Sequence, residues 1–182
     1  MRPALYILIL IGALLVSCSS YRGPNYKTPD QYNQYNSLSL GDSPGLSSQE
    51  FRLEWPVKHA RLTQFFAPSY NAAHQGLDLA AKRNTAILAA HAGRVVFAGK
   101  RYRGYGKMVL LEFNSEWATL YAHFNSLDVK TGDWVEPGQR LGGMGATGRA
   151  TGVHLHFELI RDKQPINPLP YLPKKDIKYV QK

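Results

Sequence analysis

Val153-His154-Leu155-His156-Phe157-Glu158-Leu159-Ile160 reads as a β-strand. Apolar residues take every second position, so Leu155 and Phe157 point to one face while His154 and His156 share the other. At ~3.3 Å rise per residue the two histidines stand roughly 6.6 Å apart. One of them can bind a metal while the other faces the same site from outside the coordination sphere. Further short apolar runs lie upstream between glycine turns: Leu62–Phe66, Ile87–Ala89, Arg94–Ala98, Met108–Phe113 and Ala118–Phe124. Asn114-Ser115-Glu116 separates two of them as a hairpin turn would. Gly132, Gly138 and Gly142 punctuate a further run, and no long window shows helical period. The expected fold is mainly β: one antiparallel sandwich or partly open barrel with glycine-rich loops.

His74-Gln75-Gly76-Leu77-Asp78 supplies a second group of candidates. A straight strand would hold His74 and Asp78 ~13 Å apart, too far to share one ion. A bend at Gly76 brings them together, since glycine accepts backbone angles that other residues resist. Two neutral imidazoles and one carboxylate form a set that binds zinc and leaves a fourth position for water. A closed structural zinc site would want a fourth protein ligand, usually cysteine, and the folded region has none. The chain also lacks His-Glu-x-x-His, so the glutamate base common in zinc proteases is missing. Histidine suits proton transfer near neutral pH.

The N-terminus begins with Arg2 and an apolar run from Ala4 to Val16. This is shorter than the ~20 residues of a membrane helix and has the proportions of a secretory signal. It ends in Leu15-Val16-Ser17-Cys18, which resembles the bacterial lipobox, with Cys18 as the lipidated residue. The expected organisation is a signal peptide at 1–17, a lipidated cysteine and disordered tether at 18–50, a folded domain at 51–173 and a basic tail at 174–182. Ser19 favours, by the same resemblance, an outer-membrane anchor facing the periplasm. Cys18 is the only cysteine, so no internal disulfide can form. The hydrophobic content of 44% supplies a core, and the net charge of +9 points to acidic partners.

Other signals lead away from nucleotides and nucleic acids. Gly143-Met144-Gly145-Ala146-Thr147-Gly148 matches a dinucleotide-binding pattern, but a strand follows it where a helix is required. A glycine loop bordering the cleft is the expected reading. Lys100-Arg101-Tyr102-Arg103-Gly104-Tyr105-Gly106 only begins like an RNA-binding strand and reads as a solvated basic hairpin. His59 has no partner spacing, and His91 reads as a surface residue. Trp55, Trp117 and Trp134 read as core or rim aromatics.

These segments resemble the LytM/lysostaphin-type zinc endopeptidases. The resemblance runs from about Phe65 to Leu172. It is carried by His74–Ala81, Ala92–Val96, Gly104-Tyr105-Gly106, Tyr121-Ala122-His123, Gly138-Gln139, Gly145–Gly148, Thr151–Glu158, Asn167-Pro168 and Tyr171-Leu172. It implies a LytM-like domain and one Zn2+ held by His74, Asp78 and His156. It further implies that His123 and His154 are catalytic without binding metal, dividing the roles of base and oxyanion stabiliser. The implied substrate is peptidoglycan peptide, cut in the stem or the cross-link. The alternative implied is a non-catalytic activator of cell-wall amidases, which leaves an amidase or division-machinery partner open.

Overall fold

The computed structural model describes residues 50–67 and 74–174. The signal segment, Cys18, the tether up to residue 49 and the tail from residue 175 lie outside the described residues. Among the described residues eleven strands follow one another: β1 (Arg61–Gln64), β2 (Leu77–Ala80), β3 (Ala86–Leu88), β4 (Gly93–Gly99), β5 (Met108–Glu112), β6 (Trp117–Ala122), β7 (Phe124–Leu127), β8 (Trp134–Val135), β9 (Arg140–Met144), β10 (His154–Arg161) and β11 (Gln164–Ile166). A single 3-10 turn, Leu169–Tyr171, is the one helical element among the described residues.

All ladders are antiparallel. The larger sheet runs β1-β2-β10-β6-β5-β4-β8, with β11 also paired to β10, and the smaller runs β3-β9-β7. The architecture is thus the expected antiparallel β fold with two sheets and no closed barrel. The alternation read from the sequence places β10 near the middle of the larger sheet. Leu155, Phe157 and Leu159 are fully buried and join Leu77 and Leu79 of β2, Tyr121 of β6, and Val109 and Leu111 of β5. The smaller sheet closes this core with Ile87, Phe124, Leu141 and Met144. Each such side chain contributes ~1.5–3 kcal/mol when fully buried. A second cluster, including Met108, Leu110, Leu120, Ala122 and Ile160, lines the other face of the sheet, with Phe97, Tyr102 and Tyr105 packed on it. Asp78, His154 and His156 therefore sit away from the main core, beside this second cluster.

Two expectations need correction. The run from Ala118 to Phe124 is two strands in two sheets, broken at His123, whose φ is 66°. A left-handed residue cannot continue a pleated ladder, and the chain crosses from the larger sheet to the smaller there. His91 is buried at 1% exposure instead of lying on the surface. Its Nδ1–H donates to Ala92 O at 2.7 Å, and Thr119 Oγ1 lies 2.8 Å from its Nε2. Tyr121 Oη completes the network, 2.9 Å from Thr119 Oγ1 and accepting Ala90 N–H at 2.9 Å. Burial is tolerated because each polar atom has a partner.

Burial pushes the His91 imidazole down to about 4, partly offset by its bond to Ala92 O. The native state holds the neutral ring. Stability is then complete above the unfolded value near 6.5 and declines as pH falls from there toward 4, by up to ~1.4 kcal/mol per pH unit. Urea unfolding followed by circular dichroism is expected to show a smaller fall, or a larger rise, in midpoint from pH 7.5 to pH 5 in His91→Gln than in the unaltered chain. The same change in both would contradict this reading of His91.

Candidate metal centre

Register places the first pair of the site. β2 and β10 are antiparallel neighbours with His156 directly opposite Asp78. His74 precedes β2, tied by a backbone bridge to Ala67, and the chain bends at Gly76 as expected. The reason for the glycine differs from the one expected. Gly76 does not need a left-handed angle; a Cβ there would lie 2.3 Å from Phe157 O on the adjacent strand. Only glycine lets the two backbones approach so closely, and that approach carries His74 in to Asp78.

Three donor atoms converge. Asp78 Oδ1 is 3.0 Å from His74 Nε2 and 2.9 Å from His156 Nδ1, and the two ring nitrogens are 3.1 Å apart. The outer nitrogens settle what the inner ones offer. His74 Nδ1–H donates to Phe65 O at 2.8 Å, and His156 Nε2–H donates to Glu158 Oε1 at 2.9 Å. A carbonyl and a carboxylate only accept, so in the neutral rings both protons lie outside and two lone pairs face each other beside Asp78. Such an arrangement repels itself unless a cation lies among the three atoms. Tetrahedral donors bonded at ~2.0–2.1 Å stand ~3.3 Å apart, close to what is seen. His74, Asp78 and His156 could thus hold a metal ion.

The electrostatics agree. Burial opposes charge on His156, but hydrogen bonds to Asp78 and Glu158 and their negative fields outweigh it, pushing the imidazole up to about 9. Burial would likewise raise Asp78, yet bonds from His156 and His74 hold it well below the usual carboxylate range. The pocket favours positive charge, as a proton or as a metal ion.

His154 and His123 border the centre without joining it. His154 Nδ1–H donates to Gly152 O at 3.0 Å, and its Nε2 is 3.8 Å from Asp78 Oδ2, beyond hydrogen-bond range. The His123 and His154 rings are 4.7 Å apart between centroids. His123 is held by two loops: its N–H donates to Tyr105 O at 2.9 Å and its Nδ1–H to Thr147 O at 2.8 Å. Burial first, with His154 and His156 nearby, pushes it down to about 4 against the opposing bond to Thr147. The loops interlock at Gly106, whose φ is +66° and whose Cβ would meet Thr147 at 2.3 Å. Thr147 Oγ1 accepts Lys107 N–H at 2.9 Å and donates to Phe124 O at 2.8 Å. The glycine loop does border the cleft.

The structure therefore brings His74, Asp78, His123, His154 and His156 together. Cys18 lies outside the described residues. Sequence reasoning gave no role to Glu158, which is 1% exposed, or to Tyr105, whose hydroxyl donates to Glu158 Oε1 at 2.8 Å. The signal was present for Glu158, which continues the two-residue period of His154 and His156 onto the same strand face. Outer carboxylates of this kind orient a metal-binding histidine and raise its basicity. Glu158→Gln is expected to weaken metal binding ~10–100-fold, read by competition with a chelating dye. Unchanged affinity would show that Glu158 only fills space.

The family model for Peptidase family M23 matches residues 72–168. The Lipoprotein NlpD/LppB homolog of Pseudomonas aeruginosa is 37% identical over 121 residues, covering 66% of this chain and 40% of that protein. The Murein hydrolase activator NlpD of Escherichia coli is 35% identical over 121 residues, covering 66% and 31%. The chain thus matches well under half the length of either relative. Among solved structures, a zinc containing peptidase from Vibrio cholerae shares 31% identity at a TM-score of 0.62, over 70% of this chain and 41% of that one.

Proposed function

The chain belongs to peptidase family M23, and from that premise we propose that it is a zinc-dependent endopeptidase hydrolysing peptide bonds in peptidoglycan stem or cross-link peptides. One observation carries the reading: His74 Nε2, Asp78 Oδ1 and His156 Nδ1 converge within about 3 Å of one another with both imidazole protons turned outward. Zinc is the metal proposed because two imidazoles and a carboxylate suit it. The likeness to a zinc containing peptidase supports the same choice.

Zinc bound there would acidify a water and polarise the scissile carbonyl. The chain's own residues would do the rest. With its Nδ1–H committed to Thr147 O, His123 presents Nε2 as a proton acceptor. With its Nδ1–H committed to Gly152 O, His154 presents Nε2 on the same side as Asp78. One of the pair would take the proton from the attacking water, and the other, carrying a second proton on Nε2, would donate it to the oxyanion. The C–O bond forms, the C–N bond breaks, and the proton passes to the departing amine. We place the domain in the envelope, held through Cys18 to the outer membrane and facing the periplasm. The relative called a lipoprotein supports that placement.

A second reading is favoured by the likeness to the Escherichia coli relative, a murein hydrolase activator. In that case the domain would bind and switch on a cell-wall amidase without cutting peptide itself. The test is dye release from labelled peptidoglycan by the zinc-loaded chain, with and without a purified cell-wall amidase. Release by the chain alone supports the peptidase; release only in the mixture, above that of amidase alone, supports the activator.

A further inference from the structure

We propose that Tyr105 is a positioning residue of the metal centre: its hydroxyl holds Glu158, and through Glu158 the imidazole of His156, at the angle the third donor atom needs. The proposal deepens the zinc-peptidase reading and rests on its metal centre. The connection is two hydrogen bonds long. Tyr105 Oη–H donates to Glu158 Oε1 at 2.8 Å, and the same oxygen accepts His156 Nε2–H at 2.9 Å. Across that ring, His156 Nδ1 is the atom that converges with His74 Nε2 and Asp78 Oδ1. Glu158 follows His156 by two residues on β10, so strand period puts both on one face without fixing where the carboxylate ends. Packing restrains the stem, since a Cβ on Gly76 would lie 3.1 Å from Glu158 Cγ and Glu158 is 1% exposed. The head could still turn, and the imidazole would tilt with it, carrying Nδ1 away from its partners.

Tyr105 can stop that turn because its own place is fixed. Gly104 and Gly106 on either side of it have positive φ, 99° and 66°. A Cβ on Gly106 would meet Thr147 C at 2.3 Å and one on Gly148 would meet Gly106 N at 2.3 Å, so the two loops interlock. Arg149 N–H donating to Gly104 O at 2.7 Å and Lys107 N–H donating to Thr147 Oγ1 at 2.9 Å tie them further. The Tyr105 side chain packs on the second apolar cluster. With backbone and ring held, only two side-chain torsions remain to set the hydroxyl. Two donors share the charge of Glu158 Oε1, so the hydroxyl does not strengthen the pull on His156; it places the carboxylate. The carbonyl of Tyr105 also accepts His123 N–H at 2.9 Å. One residue thus steadies a metal ligand through its side chain and His123 through its backbone.

Tyr105→Phe keeps the ring and the backbone bond to His123 and removes only the hydroxyl. Zinc affinity is read by competition with a chelating dye, and ligand geometry by the visible spectrum of the cobalt-loaded chain. Tyr105→Phe is expected to weaken zinc binding ~10-fold, as loss of an outer partner does, and to shift the cobalt bands. Tyr102→Phe, at a half-buried tyrosine of the same loop packed on Phe97, should change neither. In a Glu158→Met background the hydroxyl has no carboxylate to hold, and adding Tyr105→Phe should cost less than about 2-fold more. Unchanged zinc affinity in Tyr105→Phe would overturn the proposal, whether or not Glu158→Met folds. An equal loss in Tyr102→Phe would do the same, since a loosened loop would then be the cause. So would a full ~10-fold further loss in the Glu158→Met background, or cobalt bands that stay in place while zinc weakens. Zinc held as expected without cleavage of peptidoglycan would leave Tyr105 in its role and count against the peptidase reading alone. No zinc binding by the unaltered chain would overturn the metal centre and this role together.

Discussion

His156→Ala is expected to remove bound zinc below detection and turnover with it. The side chain contributes one of three donor atoms, and the two that remain, His74 Nε2 and Asp78 Oδ1, form no site for a tightly held ion. The change also takes a partner from Asp78 and leaves Glu158 with Tyr105 Oη, so part of its effect could be on folding. Asp78→Asn separates the two. It keeps the volume and the Oδ1 acceptor but discards the charge that faces both imidazoles. Zinc per chain, measured by plasma mass spectrometry after dialysis, should be near one in the unaltered protein and near zero in both variants. Circular dichroism should show the β signature retained in Asp78→Asn. A full zinc complement in either variant would remove these residues from the metal centre.

His123→Ala and His154→Ala should behave in the opposite way, keeping zinc and losing turnover. Neither ring donates an atom to the converging triad, and His154 Nε2 stops 3.8 Å short of Asp78 Oδ2. Loss of a positioned acid–base group costs ~10²–10⁴-fold in rate. Both variants should therefore retain one zinc per chain while cleavage falls within that range. Turnover within a few-fold of the unaltered protein would withdraw the role given to that histidine. Loss of metal would instead make it a ligand.

The face shared by His154 and His156 was legible because a strand has a period of two residues, and that strand is β10. So was the need for a bend between His74 and Asp78, together with the family to which the pattern belongs. The meeting of Asp78 with His156 was not legible in spacing, since the two are 78 residues apart and only the pairing of β2 with β10 makes them neighbours. The switch of sheets at His123 was hidden for another reason. Its left-handed backbone falls on a non-glycine residue, in a run whose apolar pattern continues past it. His91 was misplaced because neighbouring residues do not reveal Thr119 and the Ala92 carbonyl as its buried partners. Gly76 was rightly singled out, but the backbone it must approach belongs to a strand 81 residues later.

The most direct measurement is digestion of purified peptidoglycan by the zinc-loaded chain in water enriched in oxygen-18, with mass spectrometry of the soluble products. The account predicts peptide fragments whose new carboxyl termini carry one heavy oxygen atom, absent when His154→Ala is used. Fragments lacking the label, or no fragments from the chain alone while an added amidase is stimulated, would contradict it.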